Sequence, residues 1–216
     1  MLKPLALGLL ALTTIPTVGS SALAQSALPA DAVWQGAYIG ADGGGTWRNG
    51  NYTYLPGGPS YTSSSSGGLA GAYTGLNWQS GNWVAGLEGD WTHTFMGGTN
   101  DLNMFSGRVR TGWTAGNYLL YATAGVATEN RFFHVTKTSG AVTETFTDQQ
   151  QHFGLIFGGG IEAKVSKQMS VRAEGLYFIG NKRTYDYPAS PPFSASSIES
   201  DFTQAVVRAG LAYHLN

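Results

Sequence analysis

Trp78-Gln79-Ser80-Gly81-Asn82-Trp83 and Trp113-Thr114-Ala115-Gly116-Asn117-Tyr118 share one pattern, Trp-x-x-Gly-Asn-aromatic. Each copy sits between two stretches in which apolar residues alternate with small or polar ones. Gly-Asn in a short connection between period-2 runs is hairpin chemistry, because both residues tolerate positive φ. This reading sets the two aromatics of each copy opposite one another, on the same face, at the mouth of the turn. Amphipathic rings at strand ends suit the depth of lipid headgroups. The pattern predicts a transmembrane β-barrel.

Working outward from the two turns gives eight predicted strands. They run about Trp34 to Thr46, Gly68 to Trp78, Trp83 to Thr94, Met104 to Thr114, Tyr118 to Thr128, Gln151 to Val165, Met169 to Ile179 and Ser200 to Leu215. Tight turns at the Gly-Asn pairs and at Ser166-Lys167-Gln168 alternate with connections on the other rim. Three of these are long: Trp47 to Gly67, Glu129 to Gln150 with its tip near Thr138-Ser139-Gly140, and Gly180 to Glu199 with Pro188, Pro191 and Pro192. The remaining one is short, around Gly97-Gly98-Thr99-Asn100. Long loops on one rim and short turns on the other are the asymmetry of outer-membrane barrels.

Successive strand residues face opposite sides, so parity sorts the side chains. One face carries Trp83, Leu87, Trp91, Phe105, Val109, Phe153, Leu155, Phe157, Val207 and Leu211, with Trp78, Trp83, Trp113, Tyr118 and Tyr213 at strand ends as interface aromatics. The other face carries Asp42, Glu88, Asp90, Glu162 and Glu174, and against them Arg108, Arg110, Lys164, Arg172 and Arg208. A soluble β-sandwich has the same parity with the greasy face inside. Aromatics gathered at strand ends and a charged face that balances itself favour the inverted arrangement, with lipid outside and ions in the lumen. The segment Trp34-Gln35-Gly36-Ala37-Tyr38-Ile39-Gly40 alternates least clearly.

Composition and ends agree. The chain has 31 Gly and only 12% charged residues, where soluble domains carry about 25%. After the N-terminal region, no stretch approaches the roughly 18 apolar residues of a spanning helix, so any crossing is made by closed strands. Residues 1–24 read as a signal peptide: Lys3, an apolar core from Leu5 to Leu12, and Ala22-Leu23-Ala24 before Gln25. Residues 25–216 then form a single barrel domain, exported through the periplasm. With no cysteine there is no disulfide framework to read, and a net charge of −1 argues against nucleic acid.

An eight-stranded barrel is only wide enough for its own side chains. The ten lumen charges therefore predict a salt-bridged plug, with a narrow ion-conducting pore as the alternative. His152 and His214 fall on the lumen face, His93 near the outer rim and His134 in a long connection. No compact Ser/His/acid signature accompanies them, and no metal or cofactor spacing is present; haem or small-ligand binding, or a lipid-modifying activity, at the outer rim remains a further alternative. Gly158-Gly159-Gly160 lies within a strand, where Gly relieves crowding, and is not read as a phosphate cradle.

Several segments resemble the porin-like surface-antigen barrels of alphaproteobacterial outer membranes, which have an OmpA-like eight-stranded fold. They are Trp34 to Gly40, Gly71 to Asp90, Arg108 to Val126, Gly158 to Tyr177 and Val207 to His214. The resemblance implies a non-enzymatic protein of the Gram-negative outer membrane, embedded in lipid and lipopolysaccharide, with a structural or surface-exposed role. It also implies periplasmic chaperones and the barrel-assembly machinery as partners in biogenesis; the loops name no extracellular partner. Arg208, Gly210 and Tyr213 keep the spacing of the assembly signal, while Leu215 stands where the family has an aromatic residue. Weaker recognition by that machinery is the expected consequence.

Overall fold

The computed structural model describes residues 33–55, 57–95, 102–139, 142–187 and 196–215. The expected signal peptide, the connection 97–100, Gly140 of the tip and Pro188, Pro191 and Pro192 lie outside these. Every element described is a strand: β1 Gly36–Leu55, β2 Ser60–Ser80, β3 Trp83–Phe95, β4 Leu102–Ala115, β5 Tyr118–Ser139, β6 Val142–Lys164, β7 Met169–Gly180, β8 Arg183–Tyr187 and β9 Ser196–His214. Each pairs antiparallel with its neighbour, and β1 pairs with β9 to close the barrel. Closure leaves no sheet edge in the apolar layer, where an unpaired backbone amide would be costly.

The barrel wall has eight strands although nine are numbered, because β8 continues β7 along β9. Between the pairs Ile179–Thr203 and Arg183–Ser200 the chain advances four residues on one side and three on the other. That is a one-residue bulge, and a bulge reverses parity. Even-numbered Leu176 and Phe178 face inward below it; odd-numbered Tyr185 faces inward above it.

The turns differ in detail from expectation. Gly81 and Gly116 take φ of 58° and 57°, but among the described residues none other than Gly has positive φ. Asn82 and Asn117 are therefore not chosen for backbone freedom, and the φ signs are those of a type II′ turn with Gly first. Asn82 instead binds the next hairpin: its carbonyl accepts from Thr114 N (2.8 Å) and its amide donates to Thr114 O (3.1 Å). A two-residue loop pairs Ser80 with Trp83 and Ala115 with Tyr118, so the aromatics within each copy are diagonal rather than opposite. The direct partner of Trp83 is Trp113, across β3 and β4, edge-to-face at 5.1 Å.

The long outer connections are also not loops for most of their length. β1 and β2 stay paired up to Thr53–Ser60, and β5 and β6 up to Ser139–Val142. Thr, Tyr and Ser accept an extended backbone readily, and once the barrel sets the register the ladder continues into water. At about 3.3 Å per residue and a tilt near 40°, these hairpins reach well beyond the ~25 Å apolar band.

Candidate functional site: the ion-paired lumen

All ten charged residues assigned to the lumen are buried, and the greasy face is turned outward. Trp78, Trp83, Trp113, Tyr118 and Tyr213 are exposed at strand ends, as are Leu87, Val109 and Leu155 between them. Of the residues expected to form an assembly signal, Tyr213 and Leu215 face outward, and Arg208 enters the lumen.

Nine of the ten charges join one network. Arg108 hydrogen-bonds Glu88 through Nη2, which also lies 2.7 Å from Asp90 Oδ2, while Nη1 reaches Glu174 at 3.2 Å. Arg208 places Nη2 2.6 Å and Nε 2.8 Å from Glu174 Oε2, and Nη1 3.2 Å from Asp42. Arg172 joins Glu88 (2.7 Å) to Asp42 (3.2 Å). Arg110 extends the chain to Glu162 at 2.9 Å. Lys164 stands apart: its ammonium donates to Lys167 O at 3.3 Å and lies 5.3 Å from the Trp34 ring centre. It lies at the turn-bearing end of β6, two residues beyond Glu162 on the same face.

Three tyrosines that parity reading did not single out complete the network. Tyr38 OH donates to Glu88 at 2.8 Å and accepts from Arg110 at 2.9 Å; Tyr121 OH donates to Glu174 at 3.0 Å. The Arg172 guanidinium stacks 3.3 Å from the Tyr73 ring centre and Arg110 4.1 Å from Tyr121. Each ring lies flat because its direct cross-strand partner is glycine: Tyr38 faces Gly75, Tyr73 faces Gly40 and Tyr121 faces Gly160. A Cβ on Gly75 would come within 2.3 Å of the Tyr38 ring. Tyr-x-Gly in Tyr38-Ile39-Gly40 and Tyr73-Thr74-Gly75 was the signal available in the sequence.

One inward position further toward the outer rim, the chemistry changes. Leu69, Met104, Ala127, Ile156, Leu176, Phe178, Phe202 and Val206, from β2, β4, β5, β6, β7 and β9, form one buried apolar cluster in the bore. Above it lies a second polar layer in which Arg48 pairs with Glu129 and donates to Gln204 at 2.8 Å. His152 hydrogen-bonds Tyr185 there. Arg48 and Glu129 were missed because they lie on strand extensions that composition had assigned to loops.

Ser170, His214 and Glu162 meet at the turn-bearing end, yet their geometry is not that of a nucleophilic triad. A triad needs histidine between serine and acid, one nitrogen to each. Here Nε2 of His214 faces both Ser170 (3.0 Å) and Glu162 (3.6 Å), and Ser170 donates directly to the acid at 2.5 Å. His93 is half-buried at the outer end of β3, 3.1 Å from Asn103, and His134 lies on β5 paired with Thr147.

This architecture has a sequence counterpart. The 22 kDa outer membrane protein of Rhizobium leguminosarum bv. viciae is 31% identical over 159 residues, covering 71% of this chain and 67% of that protein. The chain belongs to the family of that protein. It is an outer-membrane β-barrel protein of the Gram-negative envelope, and the lipid of that membrane surrounds its apolar face. Among solved structures, Neisserial surface protein A is 13% identical with a TM-score of 0.43, over 84% of this chain and 98% of its own. OprG of Pseudomonas aeruginosa is likewise 13% identical, with a TM-score of 0.48 over 83% and 97%. No family model matches the sequence.

Proposed function

We propose that this family member is a closed, non-enzymatic barrel that reinforces the outer membrane and presents its outer hairpins at the cell surface. The carrying observation is the filled bore: a buried ion-paired network lies beside a buried apolar cluster drawn from six of the eight wall strands. Buried ions in such a layer are stable only while each keeps its partners. A hydrated ion passing through would have to displace those partners and then cross the ring of Leu, Met, Ile and Phe side chains.

Purified protein in planar bilayers tests this directly. The expected outcome is a flat current at all voltages; reproducible unitary steps would convert the reading to a narrow pore. In that case Arg108→Gln should change ion selectivity, whereas in a plug it lowers stability. The surface role predicts that the hairpin Trp47–Ser66 is cleaved or labelled on intact cells. Recognition of Tyr213 and Leu215 by the assembly machinery is part of the same proposal, and Leu215→Phe should speed insertion.

A further inference from the structure

Trp34 precedes the first strand, yet its ring is buried completely inside the barrel. It is also distinct among the six tryptophans, since Trp47, Trp78, Trp83, Trp91 and Trp113 all face outward. Two local features send it inward. Gly36 opens β1 with φ of 117°, a conformation that side-chain-bearing residues rarely adopt, and so the chain turns under the rim. The Trp34 amide then donates to Gln79 Oε1 at 2.7 Å, while Gln79 Nε2 donates to Gly81 O at 3.0 Å. Trp34 is thereby tied to a hairpin turn rather than to the strand it precedes.

The ring clusters with Val84 on β3 and with Leu119 and Tyr121 on β5, across the bore from β1. Its edge meets His214 at 5.8 Å between ring centres, and the Lys164 ammonium lies 5.3 Å from its centre. Asn77, which pairs with Gly36 on β1, is buried with neither side-chain atom hydrogen-bonded among the described residues; the same holds for His214 Nδ1 and Trp34 Nε1. A region with so many unsatisfied polar atoms is one that water enters readily when a path opens. The ion network begins directly beyond, at Arg110 and Glu162.

We propose that Trp34 is the stopper of the periplasmic mouth: the Gly36 turn and the Gln79 anchor hold its ring across the opening, and its withdrawal admits water and small polar solutes to the unpartnered polar atoms of Asn77. This inference rests on the reading of the lumen as closed, but it concerns the mouth alone.

The natural chain contains no cysteine, so single thiols report access cleanly. Asn77→Cys is exposed to the cationic thiol reagent 2-(trimethylammonium)ethyl methanethiosulfonate, with Trp34 native or replaced by Ala. Modification should be at least about tenfold faster in the Trp34→Ala background, as local opening replaces a closed state. Ser200→Cys, buried beyond the apolar layer, should stay unreactive in both. Equal rates at Asn77→Cys overturn the proposal, and so does equal acceleration at Ser200→Cys, which would mean general loosening. If Trp34→Ala yields no heat-modifiable barrel, Gly36→Ala carries the same test: it keeps the ring but strains the turn, and unchanged labelling refutes the stopper. Bilayer conductance of the native protein bears on the ion network and leaves this result standing.

Discussion

β2 is two different materials in one strand. From Leu69 to Asn77, every fourth residue (Leu69, Tyr73, Asn77) is buried, glycines sit between them, and the intervening residues face lipid. From Ser60 to Ser66 every residue is exposed, although the same strand continues and the pairing with β1 is unbroken. In the membrane, the two faces meet solvents of opposite polarity, and a one-residue slip would put every side chain in the wrong one. In the outer hairpin both faces meet water, so register is inherited from the barrel and the side chains are nearly free to vary. Stability should therefore be concentrated in the wall and specificity of surface contact in the hairpins.

The sharpest way to break this contrast is to remove one carboxylate from the lumen. Glu174→Leu leaves Arg108 and Arg208 without a central partner, and should cost about 3–5 kcal/mol, read by urea unfolding in lipid vesicles. A loss below about 1 kcal/mol would show that the network is wetted rather than dry. On the outer face, Leu87→Arg at mid-wall should cost about 2–4 kcal/mol, whereas Ser63→Arg in the outer hairpin should stay within about 0.5 kcal/mol. Similar penalties for the two arginines would remove the distinction between the regions.

Smaller effects sharpen it. The edge-to-face pair of Trp83 and Trp113 should show a coupling of about 0.5–1.5 kcal/mol in a double-mutant cycle, while Trp78 with Trp83 shows less. In vesicles of brominated phospholipid, the tryptophan emission that survives quenching should fall on Trp34→Phe, because the other five rings face outward. Near the outer rim, Lys182 donates to Glu199 at 2.8 Å, and that hydrogen bond holds its ammonium above the usual lysine range. A raised lysine contributes stability that is present below its unfolded pKa and lost as pH climbs through the folded one. At an exposed site the effect is small, so Glu199→Gln should leave the unfolding midpoint at neutral pH unchanged within error.

How much was legible varies along the chain for the same reason. The alternation is strong on β3, β4, β6 and β9, so parity places Glu88, Arg108, Glu162 and Arg208 inside; it places Arg172 inside as well, although Leu176 and Phe178 share that face of β7. The first strand is glycine-rich, and its first inward residue, like Trp34 just before it, is an aromatic, Tyr38, whose chemistry fits either face. The outer half of the β1–β2 hairpin reads as a loop because the Ser, Thr and Tyr of Ser60 to Ser66 carry no alternation where both sides are wet, and the outer β5–β6 segment mixes apolar and polar residues without a period of two. Arg48 and Glu129 were lost with them. Among the outer connections, the bulge after Gly180 was hidden too, since one extra residue shifts parity without any change in composition.

By itself, the sequence determined the barrel, its outward greasy belt and the balanced charge within, because a period of two is imposed locally by backbone geometry and needs no knowledge of the partner strand. Only the closed tertiary structure decided which charges meet. Arg208 reaches Glu174 and Asp42 because β9 closes between β7 and β1, which are distant in sequence and adjacent only once the sheet has curled. The same closure brings Trp34 against Leu119 and Tyr121 of β5 on the opposite wall, a contact that no local pattern encodes.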